Sequence, residues 1–156
     1  MSSSTDAVRL RRFKPWFWAA AAYNAIWGTI VGLAPNLFFD WLHIPRPNYP
    51  ALFQCIGMMV GVYAIGYAFI AWNPVRFGAF VWIGLAGKVL GPLGFVYAVA
   101  TGQLPLRFGT INIANDILWL PAFIAFAYYQ VRFELDTRGG VKRPGKNLRD
   151  QGPIAP

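Results

Sequence analysis

Four apolar segments, each about long enough to cross a lipid bilayer, constrain the fold of this chain more than any other feature. They lie at 16–33, 51–72, 77–100 and 110–129, and a hydrocarbon core about 30 Å thick needs about 20 apolar residues in helical form. Because lipid offers no partners for backbone N–H and C=O groups, such segments are expected to be helices. The sequence therefore predicts an all-α fold, a bundle of four transmembrane helices that occupies residues 15–130.

The distribution of charge argues against nucleic-acid binding. The chain has a formal net charge of +8, yet between residues 15 and 129 its basic residues are Arg46, Arg76, Lys88 and Arg107. A nucleic-acid surface needs a stripe of cations on a folded face, and this stretch lacks one. We therefore expect membrane lipids, and no nucleic acid, as partners.

The same charges predict an orientation. Eleven of the 14 cations lie in the N-terminal segment, the loop after the second span and the C-terminal segment, whereas Arg46 and Arg107 lie in the opposite loops. Cytoplasmic loops carry the excess of Lys and Arg, so both termini are predicted to be cytoplasmic. The flanks are predicted to be a basic tail at 1–14 and a basic, disordered tail at 131–156.

A short amphipathic stretch at 38–44 separates the first two spans. Its aromatic and aliphatic residues alternate with Asp40 and His43, a pattern typical of a partial helix that lies in the membrane interface. The first span is interpreted as an uncleaved anchor, because few apolar residues precede its first alanines, whereas a signal peptide needs about 7–15 of them.

Glycines at helical spacing predict close helix packing. Small residues are the usual signal of contact between membrane helices, because lipid gives apolar helices no drive to associate. The third span has the longest stripe, and the sets are Gly28 and Gly32, Gly57 and Gly61, then Gly84, Gly87, Gly91 and Gly94. We expect these faces to pack inside the bundle, and a homo-oligomer interface or a groove for a lipid-like molecule is the alternative.

Lys88 is the most informative residue, because it lies near the middle of the third span. A charge there costs about 2.5–3.5 kcal/mol on insertion scales, and intramembrane charges usually face the bundle interior. The fourth span has one acid, Asp116, offset from Lys88 by about 7–8 Å at 1.5 Å per residue. The sequence therefore predicts a Lys88–Asp116 pair, either direct or through water.

Other polar residues fall at similar depth, and together they form a candidate ligand-binding site. Its predicted members are Lys88, Asp116, Asn115, Asn112, Gln54 and Asn24, with Arg107 at its mouth. A buried ion pair that only fixes helix register is one interpretation. A ligand pocket or proton-handling site is the other. The function then predicted is binding of a small amphipathic or lipid-like molecule, or support of a membrane complex. A membrane enzyme that uses Lys88 and Asp116 for acid–base chemistry and a structural accessory subunit are the alternatives.

Residue counts exclude several membrane chemistries. The single His43 cannot supply two axial haem ligands or a multi-imidazole zinc site. The single Cys55 cannot form an internal disulfide relay. Asp116 is the one carboxylate within the predicted spans, so two-carboxylate chemistry has no second member. We predict no metal site and no cofactor, and no catalytic residue is assigned.

Several short motifs between residues 15 and 130 resemble a group of small bacterial four-helix inner-membrane proteins. The resemblance runs through NYP at 48–50, QCIGM at 54–58, GLAGKVLGP at 84–92, GQLPLRFG at 102–109 and ND at 115–116. In size and layout the chain is also similar to DoxX-like proteins. The resemblance implies a four-helix membrane fold and little chemistry.

Overall fold

The computed structural model describes residues 3–139, which form helices joined by short connections and contain no β-strand. The longer helices, each of nine or more residues, are α1 (Ser3–Arg11), α2 (Lys14–Leu33), α4 (Pro50–Trp72), α6 (Val81–Ala100) and α8 (Leu120–Gly139). Between them lie α3 (Leu37–Trp41), α5 (Pro74–Phe77) and α7 (Gly109–Asn112). Two 3₁₀ turns, Gly78–Phe80 and Leu106–Phe108, and a π-helical segment, Ile113–Ile117, complete the path.

Three helical stretches are long and apolar enough to cross a membrane, judged by length and composition. They are Pro50–Trp72, Pro74–Ala100 and Leu106–Thr137. These stretches correspond to the second, third and fourth predicted spans. The first predicted span lies within α2, which has 20 residues but contains Tyr23, Asn24 and several tryptophans that lower its hydropathy.

α2 and α4 pack against each other more closely than any other pair of described helices. The contact is made at the predicted glycines: a Cβ added to Gly28 would lie 2.6 Å from the Gly57 carbonyl oxygen, and one added to Gly57 would lie 2.9 Å from the Gly32 nitrogen. A Cβ could not fit at these distances, so the backbones approach closely because both positions are glycine. The predicted role of this glycine pair in bundle packing is confirmed.

Two apolar clusters hold the bundle together. The first, at the end that carries α1, joins α2, α4 and α8 through Phe17, Tyr67, Phe123 and Phe126, with ring centroids as close as 4.7 Å. The second joins α2, α3 and α4 through residues that include Trp27, Phe39 and Phe53. On α2, Asn24 lies between the residues that belong to these two clusters, and it is itself 2% exposed. A polar layer therefore separates the two apolar cores.

The N-terminal segment, predicted to be a basic tail, contains the helix α1. This helix packs on α8 and α5, and its Leu10 and Asp6 are almost fully buried. The Asp6 carboxylate lies 3.2 Å from the Arg9 Nη1 and 3.8 Å from the Arg132 Nε. Burial of these two side chains against α8 stabilises a helix whose sequence alone is too polar and short to form one.

The described part of α8 is helical as far as Gly139, so the prediction of a disordered tail from residue 131 is wrong for residues 131–139. These residues are helical because α1 packs along this end of α8. The rest of the predicted tail, residues 140–156, lies outside the described residues.

α3 confirms the partial helix predicted at 38–44. Its Phe39 is buried in the second apolar cluster, as is Ile44 just beyond its end. On the exposed side, Arg46 donates two hydrogen bonds to the Asp40 carboxylate, at 2.7 and 2.8 Å. This contact holds the pKa of Asp40 below its usual range, first through the hydrogen bond from Arg46 and further through its positive charge.

Candidate functional site

Lys88 lies at the centre of the polar layer and is 3% exposed. Its Nζ donates a hydrogen bond to the Asn115 backbone carbonyl at 2.6 Å and lies 3.9 Å from the Asp116 Oδ1. The aromatic rings of Tyr67 and Phe123 flank the ammonium, with centroids 5.8 and 5.4 Å away. The structure therefore pairs Lys88 with Asp116, as predicted, but gives its shortest contact to a backbone carbonyl.

The π-helical segment Ile113–Ile117 carries both partners of Lys88. Here the Leu118 N–H donates to the Ile113 carbonyl and the Trp119 N–H donates to the Asp116 carbonyl. In a regular α-helix these two N–H groups would instead bond the carbonyls of Ala114 and Asn115. The π turn thus takes two carbonyls out of the backbone ladder.

Side chains satisfy both of the freed carbonyls. The indole Nε1 of Trp119 donates to the Ala114 carbonyl at 3.0 Å, and the Lys88 Nζ donates to the Asn115 carbonyl. Within a membrane each unsatisfied backbone group costs several kcal/mol, so these two donors stabilise the π turn. π turns are rare and occur often at functional sites, which makes this segment the structural basis of the candidate site.

Two glycines on α6 make room for the groups that surround Lys88. A Cβ at Gly91 would lie 2.7 Å from the Asp116 Oδ2, and one at Gly84 would lie 2.6 Å from the Tyr67 ring. Both positions belong to the predicted glycine stripe of the third span. Their role here is to admit a carboxylate and an aromatic ring against α6.

A cavity of about 260 Å³ lies beside Lys88, which we call the middle cavity. α4 contributes an apolar wall that includes Ile56, Met59 and Tyr63, and α6 contributes Gly87 and other small residues. The amide and charged side chains of its lining are Asn24, Lys88, Asn115 and Asp116, which form a polar wall, and Tyr63 and Tyr67 of α4 add two hydroxyl groups. The cavity is thus mostly apolar, with its amide and charged groups at the polar wall.

Two more cavities continue the middle cavity in both directions between α4 and α6. The first, about 280 Å³, shares Tyr63, Tyr67 and Gly84 with it and is otherwise lined by apolar residues. The second, about 270 Å³, shares Gly91 and Asp116 with it and ends at aromatic residues near the loop after α6. Together they form a groove, which we call the α4–α6 groove, with its polar wall near the middle.

Two polar groups of the middle cavity lack protein partners within residues 3–139. The Asn115 Oδ1 is buried and accepts no hydrogen bond. The Asn24 side chain, almost fully buried, makes no hydrogen bond to another described residue. Leaving a buried polar group unpaired costs about 1–3 kcal/mol. A molecule in the cavity that offers a donor and an acceptor would recover this cost.

The structure brings together five of the seven predicted site residues. Asn24, Lys88, Asn115 and Asp116 line the middle cavity, and Asn112 lines the neighbouring one with Asn115 and Asp116. Gln54 and Arg107 are placed elsewhere. The Gln54 Nε2 donates to the Gly32 carbonyl at 2.8 Å, between α4 and α2, and the exposed Arg107 lies 3.5 Å from the Leu42 carbonyl.

Four residues of the site were not predicted, namely Tyr63, Tyr67, Trp119 and Phe123. Tyr63 and Tyr67 are four residues apart on α4 and stack at 6.4 Å between centroids. Two tyrosines on one face of an apolar helix place hydroxyls inside the bundle, and this spacing is a signal that the sequence contained. The sequence pattern gave no comparable signal for Trp119, because its role depends on the π turn.

The arrangement suits binding of a neutral polar group better than attack on one. An ammonium has three N–H donors. The Lys88 ammonium uses one of them for the Asn115 carbonyl, and its nitrogen lies beside the Asp116 carboxylate. A donor and acceptor pair of this kind, next to an unpaired amide, can hold a carbonyl or hydroxyl in an apolar cavity.

No family model, curated protein or solved structure matches this chain.

Proposed function

We propose that this protein is a four-helix integral membrane protein that binds a small amphipathic or lipid-like molecule in the middle cavity, beside Lys88 and Asp116. The observation that carries the proposal is the pairing of an apolar cavity of about 260 Å³ with a polar wall. On that wall, the Asn115 Oδ1 and the Asn24 side chain have no partner among the described residues.

α2 is proposed as the fourth span. Its 20 residues correspond to about 30 Å at 1.5 Å per residue, which matches the hydrocarbon core. It packs closely along α4, a helix long and apolar enough to span. Large apolar side chains such as Trp18 and Ile26 are more than half exposed, as is expected for side chains that face lipid.

The orientation and the membrane are also part of the proposal. The excess of cations at the end that carries α1 and the end of α8 supports cytoplasmic termini. The motifs that resemble small bacterial inner-membrane proteins, with a DoxX-like layout, support a bacterial inner membrane. Neither argument depends on the ligand.

The α4–α6 groove supports a particular kind of ligand. On one side the middle cavity continues into a space lined by apolar side chains and two tyrosines. On the other it continues into a space that combines Asn112, Asn115 and Asp116 with aromatic and aliphatic side chains. The ligand is therefore proposed to carry one neutral hydrogen-bonding group and an apolar body. A charged headgroup would not suit this depth, because the Lys88–Asp116 pair is already neutral as a whole. Lipid-soluble molecules with a carbonyl or hydroxyl group fit this description.

The test is native mass spectrometry of the protein released from mild detergent, comparing the parent with Gly87→Leu and Ala86→Leu. Gly87 lines the middle cavity, and a Cβ there meets Tyr63 at an ordinary 3.5 Å, so leucine would fill the cavity. Ala86 is exposed on the same helix and serves as the matched control. We expect a retained small molecule on the parent and on Ala86→Leu, and its loss from Gly87→Leu.

Equal occupancy in all three proteins, or none in the parent, would contradict the proposal. A folded parent with nothing bound would favour a structural role, in which the Lys88 contacts only fix helix register within a larger complex or a homo-oligomer. Turnover of the retained molecule, lost in Lys88→Met, would instead favour the membrane-enzyme alternative.

A further inference from the structure

A separate pocket lies at the N-terminal end of α2, where α1 turns into α2. Its volume is about 510 Å³, and it is lined by Arg9, Arg12, Phe13, Trp16 and Tyr129. Two guanidinium groups and three aromatic rings thus surround one concave surface. Neither the proposed ligand site nor the apolar clusters use its two arginines.

One of these arginines is held in place by the fold. Arg9 donates to the buried Asp6 carboxylate at 3.2 Å, and its guanidinium lies over the Tyr129 ring at 5.4 Å from the centroid. Asp6 also lies 3.8 Å from Arg132. One carboxylate is therefore shared between Arg9 and Arg132, and Arg12 adds a further positive charge to the pocket.

Arg12 is the second arginine, and it has no carboxylate partner among residues 3–139. Its backbone N–H donates to the Arg9 carbonyl at 3.1 Å, which fixes the turn between the two helices and places both arginines on the same pocket. The exposed Arg12 guanidinium is therefore available to an anion, and its planar fork matches phosphate oxygens.

The depth of the pocket indicates where that anion comes from. Trp16 lies in the first turn of α2 and is 53% exposed, and exposed tryptophans at the ends of membrane helices lie at the headgroup level. A phosphate bound by Arg9 and Arg12 would therefore lie at the membrane surface, with Trp16 and Phe13 beside the glycerol and the first carbons of acyl chains.

We propose that this pocket is a binding site for the headgroup of an acidic phospholipid, with Arg12 as the main phosphate ligand and Arg9 as the second. Diffuse attraction between basic residues and an anionic leaflet would not depend on which arginine is present. A built site does, because Arg12 lines the pocket and Arg11, which is equally exposed, does not. Substituting Arg12 or Arg11 by Gln removes the same charge, so the two variants are a matched comparison.

The experiment measures phosphatidylglycerol and phosphatidylcholine retained by the full chain in native mass spectra, for the parent, Arg12→Gln and Arg11→Gln. We expect Arg12→Gln to lower the retained phosphatidylglycerol about tenfold, and Arg11→Gln to leave it unchanged. One surface cation acting diffusely contributes about fivefold, so an equal loss in both variants would overturn the site. Equal retention of the two lipids by the parent would overturn it as well.

Four further measurements complete the test. Added inorganic phosphate that displaces the lipid fully would show that phosphate alone is recognised and would overturn the lipid assignment. Size-exclusion chromatography of Arg12→Gln and Arg11→Gln distinguishes a lost site from a lost fold, because both should elute as a single folded species. Arg12→Lys, which keeps the charge, should restore part of the lipid binding. Ala86→Leu should not change it, because Ala86 is exposed on α6 and lines neither site.

Discussion

The Lys88 ammonium donates to the Asn115 carbonyl at 2.6 Å, and it lies farther, at 3.9 Å, from the Asp116 carboxylate. The lysine therefore satisfies the backbone of a π turn and a neighbouring charge at the same time. These two roles differ in what a mutation would remove, and they can be separated by experiment.

Replacing Lys88 by Met is predicted to destabilise the folded protein by about 3–5 kcal/mol, because it leaves a buried carboxylate unpaired. Adding Asp116→Asn should recover part of this loss, since both charges are then absent while the Asn115 carbonyl still lacks its donor. The measurement is the thermal or denaturant midpoint in detergent. The control is Asp40→Asn, a change at an exposed ion pair, made in the Lys88→Met background. If Asp40→Asn recovered as much stability as Asp116→Asn does, the prediction would be contradicted.

Replacing Trp119 by Phe is predicted to lower the stability by about 1–3 kcal/mol, because the buried Ala114 carbonyl loses its donor while most of the ring volume remains. The matched control is Trp82→Phe, since Trp82 is 47% exposed on α6. Both variants are compared by unfolding midpoint. A loss at Trp82 as large as that at Trp119 would show that the indole hydrogen bond is not the cause.

Replacing Gly28 by Ala is predicted to destabilise the α2–α4 contact, because the added Cβ would lie 2.6 Å from the Gly57 carbonyl oxygen and the helices would have to separate. Overpacking of this kind typically costs about 1–3 kcal/mol. Gly32→Ala is the control, because a Cβ there meets nothing within 4 Å. It should be neutral or slightly stabilising, since alanine favours helix over glycine.

The stabilisation from the exposed Asp40–Arg46 contact is predicted to be lost at acid pH. Because Arg46 lowers the pKa of Asp40 in the folded protein, the contact contributes fully to folding stability at pH values above the unfolded pKa of about 3.9. It is lost as the pH falls through the lower folded value. Titration of the Asp40 carboxyl by NMR should show this, and Arg46→Gln should raise its pKa. An unchanged pKa in that variant would contradict the assignment.

The proposed orientation is tested by labelling a cysteine placed at position 107, after the exposed Cys55 has been replaced by Ala. Arg107 is exposed in the connection between α6 and α7. An impermeant thiol reagent should label it from outside the cell, and a cysteine at position 76 should be labelled after the membrane is opened. The reverse pattern would overturn the topology.

Hydropathy located the long helices well, because the free energy of burying apolar residues in lipid depends on composition over a long window. It also gave the depth of Lys88 and Asp116, which the structure places 3.9 Å apart. Depth, however, does not fix the direction in which a side chain points. Gln54 was assigned to the site by depth, but on α4 it faces Gly32 of α2.

Two other features, the π turn and α1, could not be predicted from the sequence pattern, for different reasons. The π turn depends on side-chain donors, the Trp119 indole and the Lys88 ammonium, that are brought to the carbonyls by the fold. α1 depends on tertiary packing, since Asp6 and Leu10 are buried against other helices, and local propensity does not report such contacts.

The sides of the middle cavity are formed by α4 and α6, two helices that contact each other far less than α2 and α4 do. At its α4 edge, Ile56 and Met59 are about half exposed or more. With the proposed membrane topology, a molecule that enters between these helices comes sideways out of the bilayer, not from water. Its occupancy would then follow its mole fraction among the surrounding lipids, so diluting the membrane with detergent should empty the site even when the aqueous concentration is held constant.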